Sequence, residues 1–442
     1  MSKRAQLLDL FLSIAAEVGA TSDRDIANLV GVSPETIANW RTGAVQEVKP
    51  QKLGAMKSGL AARIGALKEQ ARAVRNDVEQ SLCALEVEEG SGPADLQRQL
   101  RDRISYDYLG HRFLYFDSQG AVAWEMLLKT GYEQERWLRG TENCLEQWLD
   151  TKQDLQGRPG GPLAHAIGLD RGGKARGIDI ISLGPGEGGK EALVLKHLLA
   201  AERDNQQLPW ITMVPVDVSI PLLLRAARVC WRMADGHGTS HATVLPFCAD
   251  FEEGPLRFLD RLATSRQAES DNIRLVLILG NVFGNLRDEE VFVRQKLWKL
   301  VRSGDFVWIE VGVRQERMED EPLFQLTLPT HEESAADTCR RLLLEGPYRR
   351  WEAAQGRAAT LSMRVWVRED DESARIPGSC NFCHDLTIHE ERRACTMLYS
   401  RRYQVDGLSK WFEEHGFRLE RTLLVEDSRR QARVAHLLLR RR

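Results

Sequence analysis

The stretch IDIISLGPGEGGKE, residues 178–191, decides how this chain is read. Ile178 to Leu183 is a short apolar run of the length and composition of a strand buried on both faces, and Lys190 to Leu199 carries the pattern of a helix. Between them stand Gly184, Pro185, Gly186, Glu187 and Gly188. Glycines let backbone approach a ligand closely, and the N–H groups that open a helix are free to bind polar or anionic atoms. The spacing is G-x-G-x-G, not the G-x-G-x-x-G of a dinucleotide fold, and no Gly-Lys-Ser/Thr follows, which rejects a phosphate-binding P-loop. A nucleoside carrying a methionine tail fits such a turn better.

Working outward, a second apolar run, Ile211 to Val216, ends at Asp217 about thirty residues after the turn, where a carboxylate can accept both hydroxyls of a ribose. A third run, Ala242 to Phe247, precedes Asp250 and Phe251, suited to an adenine amino group and ring face. A fourth, Leu275 to Leu279, leads into Gly280-Asn281-Val282-Phe283-Gly284-Asn285, and a fifth runs from Phe306 to Val313. Strands alternating with helices predict a parallel α/β sheet whose C-terminal rim collects these residues. Each element alone is ordinary sheet architecture; the ordered set points to a cofactor site.

The remaining composition bounds the answer. With 442 residues, 43% hydrophobic and 28% charged, the chain is long enough for two to four globular domains. Its net charge of −3 attracts no phosphate overall, so nucleic-acid binding would need a local basic face. No apolar run reaches the ~18 residues of a membrane span, and Leu7 to Val18 reads as an amphipathic helix, not a leader. Eight dispersed cysteines predict a reducing cytoplasm. Cys380-Asn381-Phe382-Cys383-His384 matches a haem-attachment spacing without the compartment that chemistry needs, and Cys380, Cys383, His389 and Cys395 fit no standard zinc spacing. No metal site is expected.

The N-terminal run DIANLVGVSPETIANWRTG, Asp25 to Gly43, predicts two short helices around a turn at Gly31, with Ala27 small at their crossing and Ile37 and Trp40 sealing the core. It resembles the repressor-type helix-turn-helix family, which implies that Ser33, Glu35, Thr36, Asn39 and Arg41 face DNA. A small helical docking module is the other reading. From Leu60 to Leu85 apolar residues recur at near-heptad spacing, a stripe for homodimerisation or for packing within the chain. Glu88 to Pro93 reads as a hinge.

The segments SLGPGEGGKE (182–191), VPVDVS (214–219), ADFE (249–252), LGNVFGNL (279–286) and YSRRY (399–403), with an upstream YFDSQG (115–120), resemble the histidine-specific, S-adenosylmethionine-dependent methyltransferase family of ergothioneine biosynthesis. The resemblance runs from about residue 106 to the C-terminus. It implies a class I (Rossmann-like) methyltransferase domain over 171–313 and 411–442 and an α+β substrate domain over 101–170 and 314–410. An all-α helix-turn-helix domain (1–57) and a helical linker (58–100) would precede them. It also implies methylation of an amino-acid α-amine, with Gly184, Gly186, Asp217, Asp250 and Phe251 on the cofactor, Asn285 on the substrate carboxylate and Ser400 in the side-chain pocket.

Two departures matter. Phe116 stands where the family has a tyrosine, and Leu398 stands where it has a glutamate. Losing a phenol and a carboxylate leaves an imidazole ring nitrogen unpaired, which costs about 1–3 kcal/mol, so the expected acceptor is not free histidine. Tyr115, Tyr132 and Tyr403 remain as phenols to carry a proton or bind the acceptor, or as core aromatics. Methyl transfer by alignment tolerates the loss of a base. A chain that has lost turnover and senses its cofactor while binding DNA is the alternative to an enzyme.

Overall fold

The computed structural model describes residues 22–30, 32–41, 85–130, 133–149, 163, 177–205, 210–236, 242–260, 272–328, 334–356, 358–368, 376–427 and 431–442. The chain divides into two compact units, 1–80 and 81–442. In the first, the helices Asp23–Val30 and Pro34–Arg41 bury Ile26, Ala27 and Ile37 against each other. The Val32 amide donates to the Ala27 carbonyl, and Ser33 Oγ lies 2.9 Å from Thr36 Oγ1 and accepts from its amide at the start of the second helix. The side chains of Trp40 and Arg41 and the heptad stripe from Leu60 to Leu82 lie outside the described residues.

The second unit holds β1 (Glu86–Val87), β2 (Ile178–Leu183), β3 (Ile211–Asp217), β4 (Ala242–Val244), β5 (Phe247–Cys248), β6 (Ile273–Ile278) and β7 (Phe306–Val313), then β8 (Leu361–Arg368), β9 (Cys380–Ile388), β10 (Arg393–Tyr403), β11 (Phe417–Glu426) and β12 (Ala432–Arg441). In the sheet β2 is central, with β3 and β6 parallel on either side, β5 beyond β3 and β7 beyond β6; β12 then runs antiparallel to β7 and pairs with β11. Every residue of β2 and β3 is buried, because helices cover both faces of a parallel sheet. One face packs Leu145, Leu149, Val194 and Leu195 from the helices Glu133–Leu149 and Gly189–Asn205; the other packs Phe283, Trp411 and Phe412. This is the Rossmann-like domain, with an antiparallel hairpin closing one side.

The third expected strand, Ala242 to Phe247, is two pieces. Pro246 has no N–H to give a ladder, and both pieces pair with β3 around it. The end of the expected linker also differs. Glu86–Val87 adds a parallel edge strand to β5, and the helix Pro93–Arg103 buries Leu96 and Leu100. The stretch read as a hinge is likewise packed: Glu88 accepts from the Arg257 amide and Ser91 is buried. A composition of acids and glycines signals a turn, but it carries no information about the strand edge that the turn docks on.

The second lobe is an antiparallel β8–β9–β10 layer covered by the helices Ser118–Lys129 and Ala335–Gln355. It joins the Rossmann-like sheet where Arg402 and Tyr403 pair parallel to Gly312 and Val313, past the end of β6. No helix among the described residues is long and apolar enough to cross a membrane.

Candidate functional site

A cavity of about 350 Å³ opens at the C-terminal ends of β2, β3, β5 and β6. Its sheet-side wall is the turn Gly184 to Gly189 with Asp217, Val218, Asp250, Phe251, Leu279 and Gly280. Gly184, Gly186 and Gly188 all have positive φ, +64°, +58° and +80°. At Gly188 there is a second constraint, because a Cβ would sit 2.6 Å from the Cα of Ala226 on the helix Ile220–Gly236. The turn can press this closely on its neighbour only as glycine.

Asp217 ends β3 with Oδ1 accepting from the Ser219 amide at 2.8 Å. Burial pushes its carboxyl up to about 6, although the Ser219 and Val218 amides pull the other way. Asp250 follows β5; its Oδ1 accepts from the amides of Glu252 and Glu253 at 3.0 and 3.1 Å, and its Oδ2 is held by Arg112. After β6, Gly280 and Asn281 both adopt left-handed backbone, which asparagine tolerates better than most residues. Asn281 Oδ1 accepts from the Gly312 amide at 3.0 Å, and Asn281 Nδ2 lies 3.3 Å from Asn285 Oδ1. Asn285 lines the cavity.

Several buried ionisable groups sit behind the glycine turn. Lys190 Nζ lies 2.5 Å from both oxygens of Glu310, with His436 Nδ1 4.0 Å from Glu310. Burial opposes the charge on Glu310, but the Lys190 ammonium outweighs it and holds the carboxyl below its usual range. Glu191 accepts from Ser182 Oγ at 2.9 Å, and burial raises its carboxyl to about 7.

The opposite wall comes from helices: His111, Arg112, Tyr115, Trp124, Glu125, Leu128, Lys129 and Glu142. The YFDSQG segment has a clear structural logic. Asp117 caps the helix Ser118–Lys129 by accepting from the Gly120 amide, and a Cβ on Gly120 would lie 1.9 Å from the Leu114 carbonyl oxygen. That close turn brings Tyr115 against Trp124, ring edge to face at 5.7 Å. Across the mouth, Glu125 accepts from Lys129 and Arg225, and Arg225 lies 3.5 Å from Glu187 of the glycine turn.

The sequence-predicted residues therefore separate. Gly184, Pro185, Gly186, Gly188, Asp217, Asp250, Phe251, Gly280, Asn285 and Tyr115 converge on the cavity. Tyr403 does not: it is fully buried in the sheet core and its hydroxyl donates to Glu289 at 2.8 Å. Phe116 packs edge to face on Phe113 in the second lobe's core, Leu398 packs against the same core, and Ser400 Oγ accepts from Arg402 at 3.2 Å. Tyr132 lies outside the described residues. Sequence reading missed His111, Arg112, Trp124, Glu142 and Lys190. Of these only Lys190 had a signal, its place directly after the glycine turn. Among the described residues no group of three or more His, Cys, Asp or Glu is arranged to hold a metal ion, and Cys380, Cys383 and Cys395 lie buried in β9 and β10.

The residues present suit a nucleoside with an amino-acid tail: a glycine turn, a buried acid for a diol, and an acid and aromatic pair for a base. Residues 164–315 match the family described as histidine-specific methyltransferase, SAM-dependent. No curated protein matches the chain. Among solved structures, the methyltransferase CcbJ from Streptomyces caelestis is 14% identical over 67% of this chain and 96% of its own, with a TM-score of 0.29. Magnesium protoporphyrin IX methyltransferase from Synechocystis PCC 6803 is 12% identical over 74% and 97%, with a TM-score of 0.34. The Burkholderia thailandensis 1,6-didemethyltoxoflavin-N1-methyltransferase is 10% identical over 73% and 87%, with a TM-score of 0.32. The fold assignment rests on the strand order of this chain itself.

Proposed function

From the match of residues 164–315 to the histidine-specific, S-adenosylmethionine-dependent methyltransferase family, we propose that this chain methylates a small amine-bearing acceptor other than free histidine. The observation that carries the reading is the convergence of the glycine turn, Asp217, Asp250–Phe251 and Asn285 on one cavity. In this assignment Asp217 binds the ribose hydroxyls, Asp250 and Phe251 the adenine, and the turn with Gly280 the methionine tail. S-adenosylmethionine supplies an already activated methyl group, so the protein's part is alignment and exclusion of water.

The acceptor would enter between Tyr115, Trp124 and Asn285. The aromatic faces and the nearby Glu142 favour a basic amine, which gives up its proton to water before it attacks, and Tyr115 is the phenol placed to hydrogen-bond its nitrogen. Free histidine is disfavoured because Phe116 and Leu398, standing where the resembled family has a tyrosine and a glutamate, are apolar and pack into the second lobe's core, so neither offers the cavity a polar partner for an imidazole. The N-terminal unit fits a DNA-reading role: Ile26, Ala27 and Ile37 close a two-helix core that leaves Ser33, Glu35 and Asn39 exposed and Thr36 half-buried.

The test is to incubate purified protein and methyl-labelled cofactor with cell extract and to follow the label by mass spectrometry. A labelled amine of low mass is expected. Cofactor uptake with no labelled product would replace the enzyme with a cofactor sensor, and labelled histidine would overturn the acceptor assignment.

A further inference from the structure

The base end of the cavity has a wall that the sheet domain does not supply. Phe251 presents its ring from the sheet side, and His111, from the segment leading into the short helix Arg112–Tyr115, faces it with centroids 6.3 Å apart and planes tilted by 43°. Both rings line the cavity. A flat ring held between two others needs about 7 Å, twice the ~3.5 Å contact distance of carbon atoms. The centroids stand about 1 Å short of that and the planes are not parallel, so the two rings frame the base end and the imidazole must turn toward parallel as a planar base enters. His111 Nδ1 lies 3.4 Å from Glu252 Oε2, which restrains the imidazole beside Phe251.

The next residue addresses the edge of that slot. Arg112 is buried; one terminal nitrogen binds Asp250 Oδ2 and the other donates to Glu253 at 2.9 Å. Burial disfavours its charge, but Asp250 and Glu253 more than offset this and keep the guanidinium firmly cationic. With Oδ1 of Asp250 taken by two backbone amides, Arg112 fixes the direction of Oδ2, the oxygen left to meet an exocyclic amino group. Arg112 Nε is buried with no hydrogen-bond partner among the described residues, a donor available to a ring nitrogen.

We propose that His111 and Arg112 complete the adenine pocket: the imidazole closes over the purine face opposite Phe251, and the guanidinium orients Asp250 toward the purine's amino edge. The inference rests on the S-adenosylmethionine reading of the cavity and goes beyond it. It means that the base is held jointly by the sheet domain and by the segment that also carries Tyr115.

The experiment titrates the full chain with two ligands, S-adenosylhomocysteine and S-ribosylhomocysteine, which lacks the base. His111→Ala is expected to weaken S-adenosylhomocysteine about tenfold to hundredfold, the usual range for loss of a base-stacking ring. It should change S-ribosylhomocysteine by less than about twofold, and His111→Phe should restore S-adenosylhomocysteine to within about threefold of wild type. Should His111→Ala fail to fold, His111→Leu keeps volume without an aromatic face and carries the same expectation. Equal weakening of both ligands, or of neither, overturns the clamp. Wild-type protein that binds neither ligand overturns the cofactor reading itself, an outcome distinct from a failed clamp.

Discussion

On its sheet side the cavity is walled largely by backbone: three glycines with positive φ, strand ends, and carboxylates pinned by amides one to three residues away. On its helix side it is walled by side chains, Tyr115, Trp124, Leu128 and Glu142, projecting from helices whose positions depend on tertiary packing. The first wall is constrained by geometry that few residue types satisfy. The second can change residue by residue while the fold stands, which suits a cofactor held constant while the acceptor differs.

The largest effect that would sharpen this contrast lies beneath the glycine turn. Lys190→Met leaves Glu310 buried without its cation, and breaking a buried pair from one side costs about 3–5 kcal/mol. Chemical denaturation should show a loss of that order; a change under about 1 kcal/mol would mean that water, not the protein, solvates Glu310. Asp217→Ala comes next. Removing a charged acceptor from two ribose hydroxyls should weaken S-adenosylhomocysteine about a hundredfold or more in calorimetry.

Asp217 also gives a pH signature. Its carboxyl, raised by burial to about 6, must be ionised to accept the hydroxyls, so affinity should be flat above about pH 7 and fall roughly tenfold per unit below 6. The effect on stability has the opposite sign. A raised folded-state value contributes stability below about 4, the ordinary range for an aspartate, and that contribution is lost as pH rises through about 6. Asp217→Asn should therefore raise the melting temperature of the cofactor-free protein by a few degrees at pH 8 and not at pH 4, even as it disables binding. An affinity that does not vary between pH 5 and 8 would remove Asp217 from the ribose.

The smallest expected effect separates two phenols. Tyr115→Phe removes a hydroxyl in the cavity and should lower kcat about tenfold. Tyr403→Phe removes the donor to buried Glu289 and should leave turnover within about twofold while costing about 1–2 kcal/mol of stability. The reverse ranking would move the reacting centre out of the cavity.

The same contrast explains what the sequence made legible. β7 has the bounds read from its apolar run, Phe306 to Val313, because a strand buried on seven of its eight positions leaves no alternation to misread. The glycine turn, Asp217 and Asp250–Phe251 were legible for a related reason: backbone conformation and strand ends dictate their residue types. His111, Arg112, Trp124 and Glu142 gave no signal, because their roles depend on a helical segment folding back over a sheet that begins many residues later. Tyr403 belongs to a recognisable run, YSRRY, yet its hydroxyl is committed to Glu289 inside the core, a partner that appears only when β10 meets the helical turn at Glu289–Phe292.

The most direct measurement is calorimetric titration of the folded wild-type chain with S-adenosylhomocysteine. One equivalent should bind saturably and be displaced by S-adenosylmethionine. Folded protein that takes up neither compound would contradict the assignment of this cavity to a sulfonium nucleoside.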